Sequence, residues 1–171
     1  TGTWSPATVS NTATATYTFT PSAGQCATTA TLTVTVNPNV VPTFTPVAAI
    51  CSGATLSALP TTSNNGITGA WAPALSNTTT TTYTFTPTAG QCATTTTLTI
   101  TVNPNVVPTF NPVAAICSGA TAPVLPTTAT NGITGTWSPA TVSNTATATY
   151  TFTPTAGQCA TTATLTVTVN P

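Results

Sequence analysis

Apolar and hydroxyl side chains alternate along much of this chain, residue by residue. In Tyr83–Thr84–Phe85–Thr86, and again in Leu98–Thr99–Ile100–Thr101–Val102, every second position is apolar and the residue between is Thr. Side chains of a strand point to its two faces in turn, so this rhythm predicts one buried face and one face of hydroxyls. A short turn containing Pro, Ala and Gly joins the two runs, residue types that bend a backbone at low cost. The stretch YTFTPTAGQCATTTTLTITVNP, Tyr83 to Pro104, therefore reads as a β-hairpin. It recurs with small changes from Tyr17 and from Tyr150.

Other landmarks recur with it. Trp4, Trp71 and Trp137 are spaced by 67 and 66 residues, and Ile67–Thr68–Gly69–Ala70–Trp71 returns as Ile133–Thr134–Gly135–Thr136–Trp137. The segment NPNVVPTF appears at Asn37–Phe44 and Asn103–Phe110. Its two prolines restrict φ and remove donors, which suits a semi-rigid joint between domains. Cutting there gives a partial repeat at 1–38, a repeat at 39–104 and another at 105–171. The chain thus starts inside a repeat, as a window on a longer array would, or as a subunit completed by another chain would.

Five or six strands are expected per full repeat. Val40–Thr45 would be the first and Ala54–Leu59 the second, with Leu56 and Ala58 on one face. Pro123, in the matching stretch of the third repeat, suits only an edge or a strand end. Asn65–Gly66 and Thr130–Asn131–Gly132 mark turns. Gly66–Trp71 follows as a strand with Ile67, Gly69 and Trp71 facing one way, and the hairpin supplies the rest. Many short strands between regular turns point to a small β-sandwich with a thin core.

Composition narrows the function. The chain of 171 residues contains no Lys, Arg, Asp, Glu or His, and is 40% apolar. Disordered chains are poor in apolar residues and rich in charge, so disorder does not fit. Nucleic-acid binding needs Lys or Arg against phosphate, and anionic membranes need a basic patch. No run approaches the roughly 20 apolar residues of a spanning helix. General acid–base catalysis draws on His, Asp, Glu or Lys, and a Ser, Thr or Cys nucleophile needs a base beside it. No enzymatic activity, cofactor or metal is therefore expected, and neither is nucleic acid or membrane insertion.

Five cysteines stand at Cys26, Cys51, Cys92, Cys117 and Cys159. Two disulfide frameworks fit the repeat. In the favoured one Cys51 pairs with Cys92 and Cys117 with Cys159, leaving the partner of Cys26 outside the chain. In the other Cys26–Cys51 and Cys92–Cys117 pair across the joints. A staple inside each thin core would contribute roughly 2–4 kcal/mol. Zinc lacks a CxxC pair or any His. Either framework implies an oxidising, extracellular setting.

Trp4, Trp71 and Trp137 are expected in the core or at the joints rather than as sugar-stacking platforms. Tyr17, Tyr83 and Tyr150 are expected there too, each OH bonding to backbone at a corner. Asn77–Thr78–Thr79 is a lone glycosylation sequon. The Thr ladders read as wet outer faces of strands. A sharper reading makes them a surface for ice, a crystalline polysaccharide or an identical neighbour. Stretches such as Thr14–Thr20 carry no charge to discourage edge-to-edge assembly.

The pattern Cys51–Ser52–Gly53–Ala54–Thr55, then Thr68–Gly69–Ala70–Trp71–Ala72–Pro73, Thr82–Tyr83–Thr84–Phe85, Gly90–Gln91–Cys92 and a final Thr-alternating strand resembles Ig-like repeats of Bacteroidota surface proteins. It is most similar to repeats of large gliding-motility and filamentous adhesins, over essentially the whole chain. The resemblance implies an all-β fold of tandem small Ig-like β-sandwiches in a rod or fibre, secreted and displayed at the cell surface. The expected role is that of a stalk segment, touching neighbouring repeats, identical chains, surface glycans or abiotic surfaces. A filament subunit with strand complementation between chains is the second expectation, and ice or carbohydrate binding the third. With no side chain titrating there, the unfolding midpoint should stay constant between about pH 3 and pH 7. It should also ignore added salt. Denaturant melts across that window check this, and a sharp transition inside it would contradict it.

Overall fold

The computed structural model describes residues 1–171. The chain is all-β. In order it forms β1 (Gly2–Ser5), β2 (Ala15–Pro21), β3 (Ala30–Val34), β4 (Ile50–Cys51), β5 (Gly69–Ala72), β6 (Thr81–Pro87), β7 (Thr96–Ile100), β8 (Val102–Asn103), β9 (Ile116–Cys117), β10 (Gly135–Ser138), β11 (Ala148–Pro154), β12 (Ala163–Val167) and β13 (Val169–Asn170). Three three-stranded sheets share one order, β1-β2-β3, β5-β6-β7 and β10-β11-β12, and two short ribbons pair β4 with β8 and β9 with β13. The chain divides into two compact units. One holds Thr1–Phe44, Thr61–Ala70 and Thr86–Thr96; the other holds Thr45–Pro60, Trp71–Phe85 and Thr97–Pro171.

In the second unit, the β10-β11-β12 sheet shows how alternation becomes packing. Its antiparallel register sets Trp137 opposite Phe152 and Tyr150 opposite Leu165. Trp137, Tyr150, Phe152 and Val167 turn inward and join Leu125 and Val142 in the core, with Phe110 and Val113 packed against them. The Phe110 ring centroid lies 4.8 Å from those of both Trp137 and Phe152. Burying each such side chain is worth roughly 1.5–3 kcal/mol. The outward residues are Thr and Ser, and Thr149 and Thr166 bond hydroxyl to hydroxyl at 2.9 Å.

In the first unit, β1-β2-β3 repeats that register, with Trp4 opposite Phe19 and Tyr17 opposite Leu32. Tyr17 is buried. Trp4, expected in the core, is instead 42% exposed against 8% for Trp137. Around Trp137, by contrast, Phe110, Val113 and Leu125 complete the core. Each Tyr hydroxyl accepts the backbone N–H of a Ser seven residues earlier: Ser10 to Tyr17 at 2.6 Å, Ser76 to Tyr83 at 2.9 Å, Ser143 to Tyr150 at 2.7 Å.

Three expected strands change. Val40–Thr45 is reduced to a single parallel bridge from Val40 to Ala93, because Pro42 offers no donor to extend it. Ala54–Leu59 forms no strand. Its start is held by a loop instead, through Gly53 N–H to Asn77 O at 2.8 Å and Asn77 Nδ2 to Ala54 O at 3.0 Å. The run Leu98–Val102 breaks after Ile100, and Val102 turns to pair in parallel with Ile50. The Thr80 side chain assists the break, since its Oγ1 accepts Val102 N–H at 2.8 Å. Thr147 does the same for Val169 at 2.9 Å.

Gly135 has no room for a side chain. A Cβ there would stand 2.6 Å from the Phe152 ring and against the carbonyl oxygen of Thr153. Gly135→Ala should therefore lower unfolding stability by about 1–3 kcal/mol. The neighbouring exposed change Thr136→Ala should cost under about 1 kcal/mol. Denaturant titration of the two variants compares them directly.

Candidate functional site

The strongest constellation in the second unit is built where the second sequence repeat hands over to the third. Its backbone is Asn103–Pro104–Asn105–Val106. On one side, Ile50 N–H donates to Thr101 O at 3.0 Å and Ser52 N–H to Asn103 O at 2.8 Å. Asn105 Nδ2 adds a bond to Ser52 O at 2.9 Å. On the other side, Val106 N–H donates to Cys159 O at 2.8 Å, and Thr161 N–H to Val106 O at 3.0 Å. Four residues of joint thus hold the Cys51 segment and the Cys159 turn together. Their Cα atoms are 5.0 Å apart and the two sulfurs form a disulfide.

The Cys159 turn is shaped for this. Gly157 has φ 90° and Cys159 φ 47°, the left-handed region where Gly is at ease and other residues are strained. The Gln158 amide clamps the turn. Thr134 N–H donates to its Oε1 at 2.8 Å, and its Nε2 donates to Thr134 O at 2.8 Å and Thr155 O at 3.2 Å. Gln91 repeats the fork on Thr68. Gln25 bonds Thr1, and Cys26 and Cys92 have φ 48° and 47°.

This overturns both disulfide frameworks read from the sequence. Neither Cys51–Cys92 nor Cys117–Cys159 forms, and neither does Cys26–Cys51 or Cys92–Cys117; Cys26, Cys92 and Cys117 are free and exposed. The third repeat shows why. Val106 bridges Ala160 in parallel, and Ile116 pairs with Val169 in parallel. Cys159 adjoins the first contact and Cys117 the second. Ala160 and Val169 are nine steps apart along the chain, with eight residues between them, a span of up to about 30 Å at roughly 3.3 Å per step. A disulfide tolerates at most about 7 Å between Cα atoms.

The other residues singled out have internal duties. Trp137 and Trp71 donate their indole N–H to Pro126 O and Pro60 O, each at 2.8 Å. Trp137 is further held against the Phe110 and Phe152 rings, so no ring face is free for a sugar. Tyr83 and Tyr150 are fully buried. Thr16 pairs with Thr33 at 3.0 Å and Thr82 with Thr99 at 2.8 Å, hydroxyl to hydroxyl across strands. A shallow apolar groove of about 410 Å³ runs beside Leu125, Val124, Trp137 and Val142. No His, Cys, Asp or Glu cluster could hold a metal ion, and no helix is long and apolar enough to cross a membrane.

The turn expected from its Pro, Ala and Gly gave no hint of the Gln clamp or of the Asn105 bond. The available signal was repetition: Gln precedes Cys in all three copies, and NPNV occurs at both joints. No protein-family model matches the chain, and no curated protein matches it significantly.

The bond closes a separation of 108 residues. Reduction, or Cys159→Ser, should lower unfolding stability by about 2–4 kcal/mol. Cys92→Ser should stay within about 0.5 kcal/mol of the parent. Urea melts with and without reductant check this, and equal losses in both variants would argue for a staple inside the repeat.

Proposed function

We infer that this chain is a structural segment of a secreted cell-surface fibre. In this reading, small Ig-like β-sandwiches stand in tandem at 39–104 and 105–171, preceded by part of another at 1–38, as in the Bacteroidota adhesin repeats the sequence resembles. The work is mechanical: spacing and attachment, with neighbouring repeats and identical chains as the partners.

The observation that carries this reading is the Cys51–Cys159 disulfide between successive repeats. A staple within a domain only stabilises that domain. A staple across a joint limits bending and passes tension from one repeat to the next. Its persistence also favours an oxidising, extracellular setting. The lack of any His, Asp, Glu or Lys supports a non-enzymatic role, since no general acid or base is at hand.

A second reading rests on the first unit. Trp4, Val9 and Leu32 are 42%, 60% and 54% exposed, and with Tyr17 and Val34 they line a hollow of about 250 Å³. A segment equivalent to Phe110–Leu125, supplied by another chain, would cover it as strand complementation requires.

Small-angle scattering separates the fibre reading from a globular one. A compact globule of 171 residues has a radius of gyration near 16 Å. The oxidised monomer should exceed that clearly, and its profile should broaden on reduction as the joint loosens. A radius at or below the globular value would refute the stalk.

A further inference from the structure

We propose that Asn131 is a site of spontaneous deamidation, that the reaction frees the Val107–Thr109 segment from its turn, and that Ser63 shields the equivalent Asn65. The inference stands apart from the mechanical reading and needs no reactant but water.

Asn-Gly occurs at Asn65–Gly66 and Asn131–Gly132, and both copies continue with Ile-Thr. This pair is prone to cyclise because Gly carries no side chain to hinder attack by its own nitrogen. Both Asn and both Gly are exposed, so water reaches each turn. The turn backbones match: Gly66 N–H donates to Ser63 O at 3.0 Å and Gly132 N–H to Ala129 O at 2.9 Å.

Both amides are in use. Asn131 Nδ2 donates to Val107 O at 2.9 Å, and its Oδ1 accepts Thr109 N–H at 3.4 Å. Asn65 Nδ2 donates to Val41 O at 2.9 Å, and its Oδ1 accepts Thr43 N–H at 3.2 Å. To cyclise, the side chain must leave these bonds and turn back on the following glycine. The residue two positions earlier sets the two sites apart. Ser63 Oγ donates to Asn65 Oδ1 at 2.7 Å and accepts Ile67 N–H at 2.9 Å. Ala129 stands at that place in the third repeat and has no hydroxyl for either bond. Thr130 Oγ1 does donate to Thr109 O at 3.0 Å, which ties the main chain and not the Asn131 amide. One neutral hydrogen bond fewer raises the released population by about fivefold.

The reaction balances with water alone. The Gly132 nitrogen loses its proton and bonds to Asn131 Cγ. The bond from Cγ to Nδ2 breaks, and ammonia leaves with that proton, giving a five-membered imide. Water then adds at one imide carbonyl and breaks its bond to nitrogen. The products are an aspartate, or an isoaspartate whose main chain runs through the side-chain carbon. Either brings a carboxylate to a chain that has no Lys, Arg, Asp, Glu or His. An ionised carboxylate has no proton to donate, so Val107 O loses its partner and faces negative charge instead. No charged side chain exists to offset it, and the bonded neighbours Val107 and Thr109 do not titrate.

The test holds the full chain, with Cys51–Cys159 formed, in mildly alkaline buffer with and without concentrated urea. Peptide mass mapping follows conversion at both sites. In urea the two should convert at equal rates, since both read Asn-Gly-Ile-Thr. In the folded chain Asn131 should convert about fivefold faster than Asn65. Ser63→Ala should raise the Asn65 rate toward that of Asn131, and Ala129→Ser should lower the Asn131 rate; circular dichroism verifies that both are folded. Equal rates in the folded parent, a faster Asn65, or no conversion of folded Asn131 would each overturn the proposal. The release is tested with Asn131→Asp. Below the usual carboxyl pKa of roughly 3.9 the protonated side chain can still donate to Val107 O, and the unfolding midpoint should approach the parent's. Folding disfavours the charged form, so that stability is lost as pH rises through the carboxyl range. A midpoint as constant with pH as the parent's would show that Val107 is not released.

Discussion

Val106 bridges Ala160 and Ile116 pairs with Val169, both in parallel. The entry segment of the third repeat therefore runs beside its exit segment, in the same direction. The second repeat has the equivalent pairs, Val40 with Ala93 and Ile50 with Val102. Two parallel neighbours start at one end of a fold and finish at the other. In the third repeat this sets the Gly-Gln-Cys turn beside Val106 and the Cys-Ser-Gly segment beside Val169, at different points along the chain. The disulfide follows from that polarity. It joins Cys51 to Cys159 because the Asn103–Val106 joint is short and doubly anchored, whereas cysteines of one repeat never meet.

The polar chemistry is economical in a related way. Without charges, each need for a donor or acceptor falls to Thr, Ser, Asn, Gln and the backbone. Thr80 and Thr147 take over the amides freed when β7 and β12 give way to the parallel ribbons. Gln158 satisfies one turn with a single side chain, and Asn105 closes the joint. No buried side-chain polar atom lacks a partner. Neutral hydrogen bonds are each worth only about 1 kcal/mol net, so these groups mainly fix geometry. The rings of Phe110, Trp137 and Phe152 supply the hydrophobic gain. In the β1-β2-β3 sheet Trp4 and Leu32 stay 42% and 54% exposed.

The strands were legible because their signal is local. The alternation in Tyr83–Thr86 dictates which side chains face inward, whatever the rest of the chain does. Tyr150, Phe152 and Val167 land in the core for that reason, and the positions between them carry Thr hydroxyls. The failures are equally particular. Ala54–Leu59 has strand-like residues, yet Asn77 takes its first carbonyl, that of Ala54, and the Ala54 N–H turns back to Cys51 O. Leu98–Val102 keeps one rhythm through a point where the pairing partner changes, and a rhythm is blind to its partner.

The sequence by itself determined an all-β chain, its sheet faces, its repeating turns and the exclusion of charge-based chemistry, because each depends on residue type and near-neighbour spacing. Tertiary structure alone decided which sulfurs meet and which aromatic face stays open. Cys51 and Cys92 belong to one repeat and are 41 residues apart, while Cys51 and Cys159 are separated by 108. The longer separation is bonded because the Asn103–Val106 backbone anchors the Cys51 segment on one side and the Cys159 turn on the other, and strand direction is not written in any local pattern.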